Sequence, residues 1–319
     1  MANAGRVGNA RPRLSIAIVN WNGGALLAQC LDSLRVALAR PGAPSARIIV
    51  VDNGSTDGSV GKLGDDVELI RNPTNRGFGA ACNQAAARVD SDFLLFLNPD
   101  CRVAAGSIEA CLARLQAEPA VGVAGIALHG DDGSVQRSCH RFPRPAYFFN
   151  RLSGLSALFA CCADGSMQDW AHDTDRRVDH VIGAFYLVRT REFRALGGFD
   201  ERFFVYLEDL DLSLRYSQHG QHCLFVAAPA SYHKGGGISQ QVRAARLFYA
   251  TRSRILFAFK HFGAAQGWLH LGATLTVEPL ARLAQALAHG RPRDGGQVLR
   301  GFALLYRDLP ATLRLARRE

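Results

Sequence analysis

LSIAIVNWNGG at residues 14–24 and ARIIVVDNGSTDGS at 46–59 decide the fold. Each is an unbroken apolar run that stops on a polar side chain and passes into Gly and Ser. A run apolar at every position is a strand buried on both faces, which is the habit of parallel strands covered by helices. The pattern recurs outward from there. A helix-spaced stretch follows Gly24 to about residue 40, a short helix is expected after NGSTDGS, and VELIRN (67–72) is a third strand. GFGAACNQAAARV (77–89) reads as a helix, SDFLLFLNPD (91–100) as a fourth strand and SIEACLARLQAE (107–118) as a helix. Strands alternating with helices predict an α/β fold, a mostly parallel sheet with helices on both faces. Ligands bind such sheets at the carboxyl ends of the strands, and Asn20-Trp21-Asn22, Asp52-Asn53 and Asn98-Pro99-Asp100 all fall there.

After Val121 the rhythm changes. Residues 129–180 lack periodicity and read as long loops over the sheet, HVIGAFYLVR (180–189) as a further buried strand, and 207–219 as a helix. A short strand at 222–228 and a basic amphipathic helix over 241–261 follow, then an Ala/Leu-rich helical region to 319 broken at Gly290–Gly296. Domain organisation is thus a flexible tail (1–13), an α/β domain (14–239, divided at 120/121) and a C-terminal helical appendage (240–319).

The 319 residues carry 37 Lys+Arg and 28 Asp+Glu, a net charge of +9, with 48% hydrophobic residues, which excludes wholesale disorder. Residues 240–319 hold 13 basic and 4 acidic side chains, and 13 − 4 = +9 is the whole surplus. Nucleic-acid binding would want that charge on the main domain; on an appendage with Phe248, Phe257, Phe259 and Trp268 it suits an anionic membrane surface. The 8 cysteines show no CxxC pair and no zinc spacing, so reduced thiols are expected. No run of 18 apolar residues and no signal-type h-region occurs, which predicts a cytoplasmic, peripheral protein.

Five segments can carry chemistry. Asp52, before a Gly/Ser turn, can accept from a base N–H or a ribose hydroxyl, and serves equally as a helix cap. NRGFG (75–79) puts a guanidinium and two glycines where a helix begins, a wall for phosphate or base, or a simple turn. FLNPD presents Asp100 at the end of an apolar strand, where a hard cation on a diphosphate needs few carboxylates, or where a turn needs one. In FDERFFVYLEDLDLSLR (199–215), Asp209 is a candidate carboxylate base, beside the dipole-stabilised acidic start that any helix favours. In SYHKGGGIS (231–239), His233 precedes a glycine run that suggests a moving loop, and its imidazole can ligate metal.

Taken in order, IVNWNG, VDNGSTDGS, NRGFGAACNQA, FLNPD, VIGAFYLVRTREFRALGGFDERFFVYLEDLDLSLR and YHKGGGIS resemble the family 2 glycosyltransferases of the GT-A fold, in their rhamnosyltransferase-like branch. The resemblance covers about residues 14–239. It implies that Asp52, with Asn20 beside it, binds the donor base or ribose, and that Asn75, Gly77 and Gly79 lie against the nucleotide. It implies that Asp100 is the last Asp of a DxD motif whose first position is Asn98 here, holding Mg²⁺ or Mn²⁺ with His233. Asp209 is then the general base, with Glu208 positioning acceptor hydroxyls in an inverting transfer. The implied partners are a nucleotide-sugar donor, dTDP-L-rhamnose before UDP-galactofuranose or UDP-glucose, and a polysaccharide or lipid-linked glycan acceptor. A catalytically inactive nucleotide-sugar-binding protein is the rival of another class, suggested by Asn98. A nucleotidyltransferase would need a basic Gly-rich loop after the first strand, and IVNWNGG is not one.

Overall fold

The computed structural model describes residues 13–159, 164–235, 242–290 and 292–317. The amino-terminal tail and the glycine run after Gly235 lie outside the described residues. In chain order the elements are β1 (Leu14–Asn20), α1 (Ala25–Leu38), β2 (Ala46–Asp52), β3 (Val67–Arg71), α2 (Phe78–Ala86), β4 (Phe93–Leu97), β5 (Cys101–Arg102), α3 (Ser107–Ala117) and β6 (Val121–His129). Then follow β7 (Val135–Gln136), β8 (Cys139–His140), α4 (Pro145–Ser153), α5 (Leu155–Leu158), β9 (Arg176–Val178), β10 (His180–Val181), β11 (Phe185–Arg189), α6 (Thr190–Ala195), α7 (Glu208–Gln218), β12 (His222–His233), α8 (Arg243–Ala288) and α9 (Pro292–Ala316).

The main sheet runs β3-β2-β1-β4-β11-β6-β12-β5. Its strands are parallel except β11, antiparallel to both β4 and β6, and β5, antiparallel to β12. The expected α/β class, mostly parallel with helices on both faces, is the one found. Alternate residues of β1 supply the two cores. Leu14, Ile16 and Ile18 join the buried stripes of α1 and α3, while Ala17 and Val19 join those of α2, α6 and α7.

Three expectations change. No helix follows NGSTDGS: residues 53–66 form turns and bends, with Gly54, Gly58 and Gly64 at positive φ and the segment tied by side-chain bonds to Asn20 and Asn22. VGVAGIALH (121–129), not foreseen as a strand, is central β6. Its Gly122 and Gly125 lie where a Cβ would come within 2.5 Å of the Tyr216 ring and 2.8 Å of Val181, so glycine there lets α7 and β10 press on the sheet. Within 129–180, α4, α5 and short strands β7–β9 replace irregular loops.

The C-terminal helices pack on the α/β body. α8 is broken at Gly263 (φ 82°), and the part after it folds back so that Gly267 sits under Phe259, where a Cβ would be 2.5 Å from the ring. Phe257 and Leu256 join Phe148 of α4, Phe203 and Leu210 in one buried cluster. Phe302 and Leu305 of α9 close over Ile255 and Leu271. Charge adds a second tie. Asp211 of α7, with no solvent exposure, meets Lys260 Nζ at 2.5 Å, His261 Nε2 at 2.7 Å and Arg215 Nε at 2.9 Å. Burial alone would raise its pKa, but the His261 hydrogen bond and the Arg215 and Lys260 charges hold it below the ordinary carboxylate value. Asp211→Ala leaves the Arg215 guanidinium without its carboxylate and His261 without its acceptor, and a loss of about 3–5 kcal/mol is expected from urea denaturation. A loss below about 0.5 kcal/mol would contradict the clamp.

Candidate active site

Topology gathers the polar residues on one edge. β3, β2, β1, β4, β6 and β12 all end there, and antiparallel β11 begins there. From Asp52 on β2 to the start of β11 is three strand spacings, ~14 Å.

At the first end, the carboxyl end of β2 opens on a cleft of about 450 Å³ lined by Asp52, Gly54, Ser55, Thr56, Arg71, Asn72 and Pro73. Asn20, fully buried, stands opposite Asp52 in the β1–β2 register. Its amide nitrogen donates to Ser59 Oγ (2.9 Å) and Ser55 Oγ (3.0 Å), with Asp52 Oδ1 at 3.4 Å. Ser55 N–H donates to Asp52 Oδ1 at 3.3 Å, so Asp52 braces a turn where a helix cap was expected, and its carboxylate still lines the cleft. Asn75 turns its carbonyl oxygen inward, accepting from Asn53 Nδ2 and from Gly77 N–H, both at 2.9 Å. Gly77 (φ 92°) and Gly79 serve close packing: a Cβ on Gly77 would lie 2.5 Å from the Phe204 carbonyl oxygen, and one on Gly79 3.1 Å from Phe199 Cβ. Arg71 was not singled out from sequence; its only signal is its place at the end of a strand.

In the middle, Asn98 makes the turn out of β4. Its N–H donates to Ala184 O and its carbonyl accepts from Cys101 N–H, at 3.0 and 3.1 Å. This delivers Asp100, whose Oδ1 lies 3.3 Å from His233 Nε2. Gln136 decides the state of that histidine. Its Nε2 donates to His233 O at 2.5 Å, which leaves Gln136 Oε1, 2.9 Å from His233 Nδ1, as the acceptor. Nδ1 therefore carries a proton, and Nε2 turns its other valence toward a carboxylate. A divalent metal can be shared by that ring nitrogen and the carboxylate. Cys101 completes a trio whose ligand atoms lie within 4.8 Å of one another. Its thiol donates to Ala184 O at 3.3 Å, and burial, then the Asp100 charge, push its pKa well up, so it stays neutral beside the pair. Asp100 and His233 are the residues that could hold a metal.

At the far end, Asp209 opens α7. Its Oδ2 accepts from Gly183 N–H at 2.7 Å and its Oδ1 from Leu210 N–H at 2.8 Å. Gly183 is required for this approach, since a Cβ there would be 3.0 Å from Oδ2. His180 Nε2 stands 3.7 Å from the same oxygen, and burial holds its pKa down at about 4, so it is a neutral neighbour. Its Nδ1 meets Ser213 Oγ at 3.0 Å, and Ser213 meets Tyr186 OH at 2.9 Å. Glu208 behaves differently. It is 5% exposed, its Oε2 has no partner, and burial, then the Asp209 charge, raise its pKa well above the carboxylate range. One carboxylate is thus held by N–H donors and its neighbour favours the protonated form. The edge joins a nucleoside-sized cleft, a metal-ready Asp–His pair and a fixed carboxylate.

The mostly parallel sheet with this carboxyl edge has the GT-A fold of solved glycosyltransferases. Residues 15–170 match the model of glycosyl transferase family 2, and the curated relatives that the chain resembles include rhamnosyltransferases. It is 28% identical over 271 residues to the N-acetylglucosaminyl-diphospho-decaprenol L-rhamnosyltransferase of Mycobacterium tuberculosis, covering 78% of this chain and 85% of that one. It is 28% identical over 167 residues to the rhamnosyltransferase WbbL of Escherichia coli, covering 49% of this chain and 60% of that one. Among solved structures it resembles the mannosyltransferase PcManGT of Pyrobaculum calidifontis in complex with GDP-Man and Mn²⁺, with 18% identity, 97% of this chain, 86% of that chain and a TM-score of 0.53. S. aureus TarS 1-349 gives 15% identity, 93% and 91% coverage and a TM-score of 0.51. Glycosyltransfer in glycan synthesis follows from the family and these relatives.

Gln136 had no signal in the sequence. It sits in a short strand of a segment read as loop, yet it fixes the tautomer of His233. Gln136→Ala is expected to weaken Mn²⁺ binding about 10–100-fold by calorimetry. Equal affinity in the two proteins would sever the link between Gln136 and the metal.

Proposed function

We propose that the protein is an inverting rhamnosyltransferase that moves L-rhamnose from dTDP-L-rhamnose onto a hydroxyl of a lipid-linked or growing glycan. The observation that carries this is the single row of Asp52, the Asp100–His233 pair and Asp209 along one sheet edge. Asp52 and Arg71 bind the base and ribose in the 450 Å³ cleft, with Asn20 holding the turn that shapes it. Asn75, Gly77 and Gly79 bring that wall against the loop leading to α7, and Asn98 sets the turn that aims Asp100. Asp100 and His233 would hold Mg²⁺ or Mn²⁺, which when bound neutralises charge on the departing diphosphate. Asp209 takes the proton from the acceptor hydroxyl, which attacks the anomeric carbon on the face opposite the diphosphate. A single ionised carboxylate suffices for such a displacement and inverts the centre. Glu208, kept protonated, can donate to an acceptor oxygen.

The relatives' names favour rhamnose as the sugar and a diphospho-lipid as the carrier of the acceptor. UDP-galactofuranose or UDP-glucose is the alternative donor. The C-terminal surplus of +9 and the exposed Trp268, Leu269, Leu280, Leu287 and Tyr306 suit docking on the inner face of an anionic membrane. No helix among the described residues is long and apolar enough to cross one.

The test is thermal shift and nucleoside diphosphate release with the three donors, with and without Mn²⁺ or Mg²⁺, on the parent and on Asp209→Asn. dTDP-L-rhamnose is expected to shift and turn over. The Asn variant is expected to keep the shift and lose about 10²–10⁴-fold in kcat. Donor binding without turnover in either protein would instead support the inactive-binding rival, and undiminished turnover in the variant would remove Asp209 as base.

A further inference from the structure

On the returning part of α8, His270, Thr274, Glu278 and Arg282 recur at every fourth residue and so share one face. The Glu278 carboxylate, fully buried, accepts from Arg254 Nη2 at 2.6 and 2.7 Å and from Arg282 Nε at 2.8 Å. Two guanidinium groups share one carboxylate. A third comes from α4: Phe148 packs on His270 and Phe257 with ring centroids 5.3 and 5.7 Å apart, and Arg151 lies three residues further along the same face. Among the described residues Arg151 makes no ion pair. Arg151 keeps contact with solvent, yet burial, then the charge of Arg254, pull its pKa below the ordinary guanidinium value. Asp164, the other carboxylate acting on Arg151, already accepts from Ser166 N–H and O–H at 3.0 and 2.7 Å.

Arg254 carries the second observation. It is 6% exposed, and its Nη1 has no hydrogen-bond partner. His270 supplies no charge, because burial and the charge of Arg254 hold its pKa near 4. The two guanidiniums on Glu278 leave 2 − 1 = +1, with Arg151 and Asp164 beside them and a buried donor unmet, an arrangement that is costly unless an anion completes it. Planar forked guanidiniums match phosphate oxygens.

The cluster also lies toward the base. His140 pairs with His180 in register, their rings 6.1 Å apart, and the charges of both Arg151 and Asp209 act on it. The Asp100–His233 pair, by contrast, is built by β5 and β12. An anion held at α4 and α8 is thus separate from the donor diphosphate. A molecule that presents a hydroxyl to Asp209 and an anion to these arginines is a sugar carrying phosphate on itself.

We propose that Arg151, Arg254 and Arg282 form the subsite for the diphosphate of a glycosyl diphospho-lipid acceptor. This rests on the transferase reading above. The test compares kcat/KM for N-acetylglucosaminyl diphosphate bearing a short alkyl chain with that for the alkyl N-acetylglucosaminide lacking phosphate, using the full chain. In Arg151→Ala and Arg282→Ala, whose side chains reach solvent, the preference for the diphosphate acceptor is expected to fall about tenfold or more, through KM. Arg254→Lys, which keeps the charge and loses the fork, is expected to show the same fall. An unchanged preference in variants that melt with the parent would overturn the subsite.

A binding arm separates this from the transferase reading. Inorganic pyrophosphate is titrated calorimetrically with Mn²⁺ and saturating nucleoside diphosphate present. Binding by the parent that is lost in Arg151→Ala/Arg282→Ala supports the subsite even if neither acceptor is glycosylated, an outcome that would sink only the transferase reading. Equal binding in both proteins, or none in the parent, overturns the subsite.

Discussion

Everything downstream of the sheet depends on Asp211. It has no solvent exposure, and Lys260 and His261 of α8 and Arg215 of its own helix all meet it. Lys260 also reaches Asp200 at 2.7 Å, where Arg202 is a second partner. A buried carboxylate is tolerable only with such partners, so the first turn of α7 forms in place only with α8 laid over it. Two residues before Asp211 stands Asp209. The loop entering α7 is held from the same side, by Ser253 Oγ on Val205 O at 2.8 Å and by Tyr249 stacked on Phe204 at 4.4 Å. Tyr206 and Leu207 sit there at φ 70° and 68°, which costs non-glycine residues on the order of 1–3 kcal/mol each and persists only where packing over-determines it. The C-terminal helices therefore help to place Asp209 at the sheet edge.

The other half of the site rests on amide networks. Asn53 donates to Asn75 Oδ1 and to Gly77 O, and accepts from Arg76 N–H and Asn72 Nδ2. Asn20 gathers Ser55 and Ser59 under the cleft. These neutral networks set the backbone around the carboxyl ends of β1 and β2. Gly77 joins the halves, its neighbour Phe78 donating N–H to Phe204 O at 2.7 Å. A donor lying along the edge thus meets a wall whose far side touches the loop that carries the base.

The sheet from β1 to β4 was legible in the sequence because its strands are continuously apolar and end on abrupt polar residues. The edge residues were legible for the same reason. β6 was not, because Gly122 and Gly125 dilute its apolar run, and the cause of those glycines is contact with Tyr216 and Val181 from distant sequence. Gly77 and Gly79 read as phosphate-loop glycines but are filled by Phe204 and Phe199, a distinction that spacing cannot make. His233 was legible as a candidate ligand, while Gln136, which bonds its ring, carried no pattern at all. The helix expected over 241–261 is present, but its Lys260 and His261 turn inward to Asp211, a partner that lies on a distant stretch of sequence.

The central claim is that one carboxylate, Asp209, acts as base in a single displacement, beside a Glu208 whose pKa burial and the Asp209 charge raise. The most direct measurement is the anomeric configuration of the product formed from dTDP-L-rhamnose and a defined acceptor, read from its one-bond C1–H1 NMR coupling. The account predicts a configuration opposite to that of the donor. Retention would contradict it, since two displacements would then be needed and a covalent partner for the sugar would have to exist on this edge.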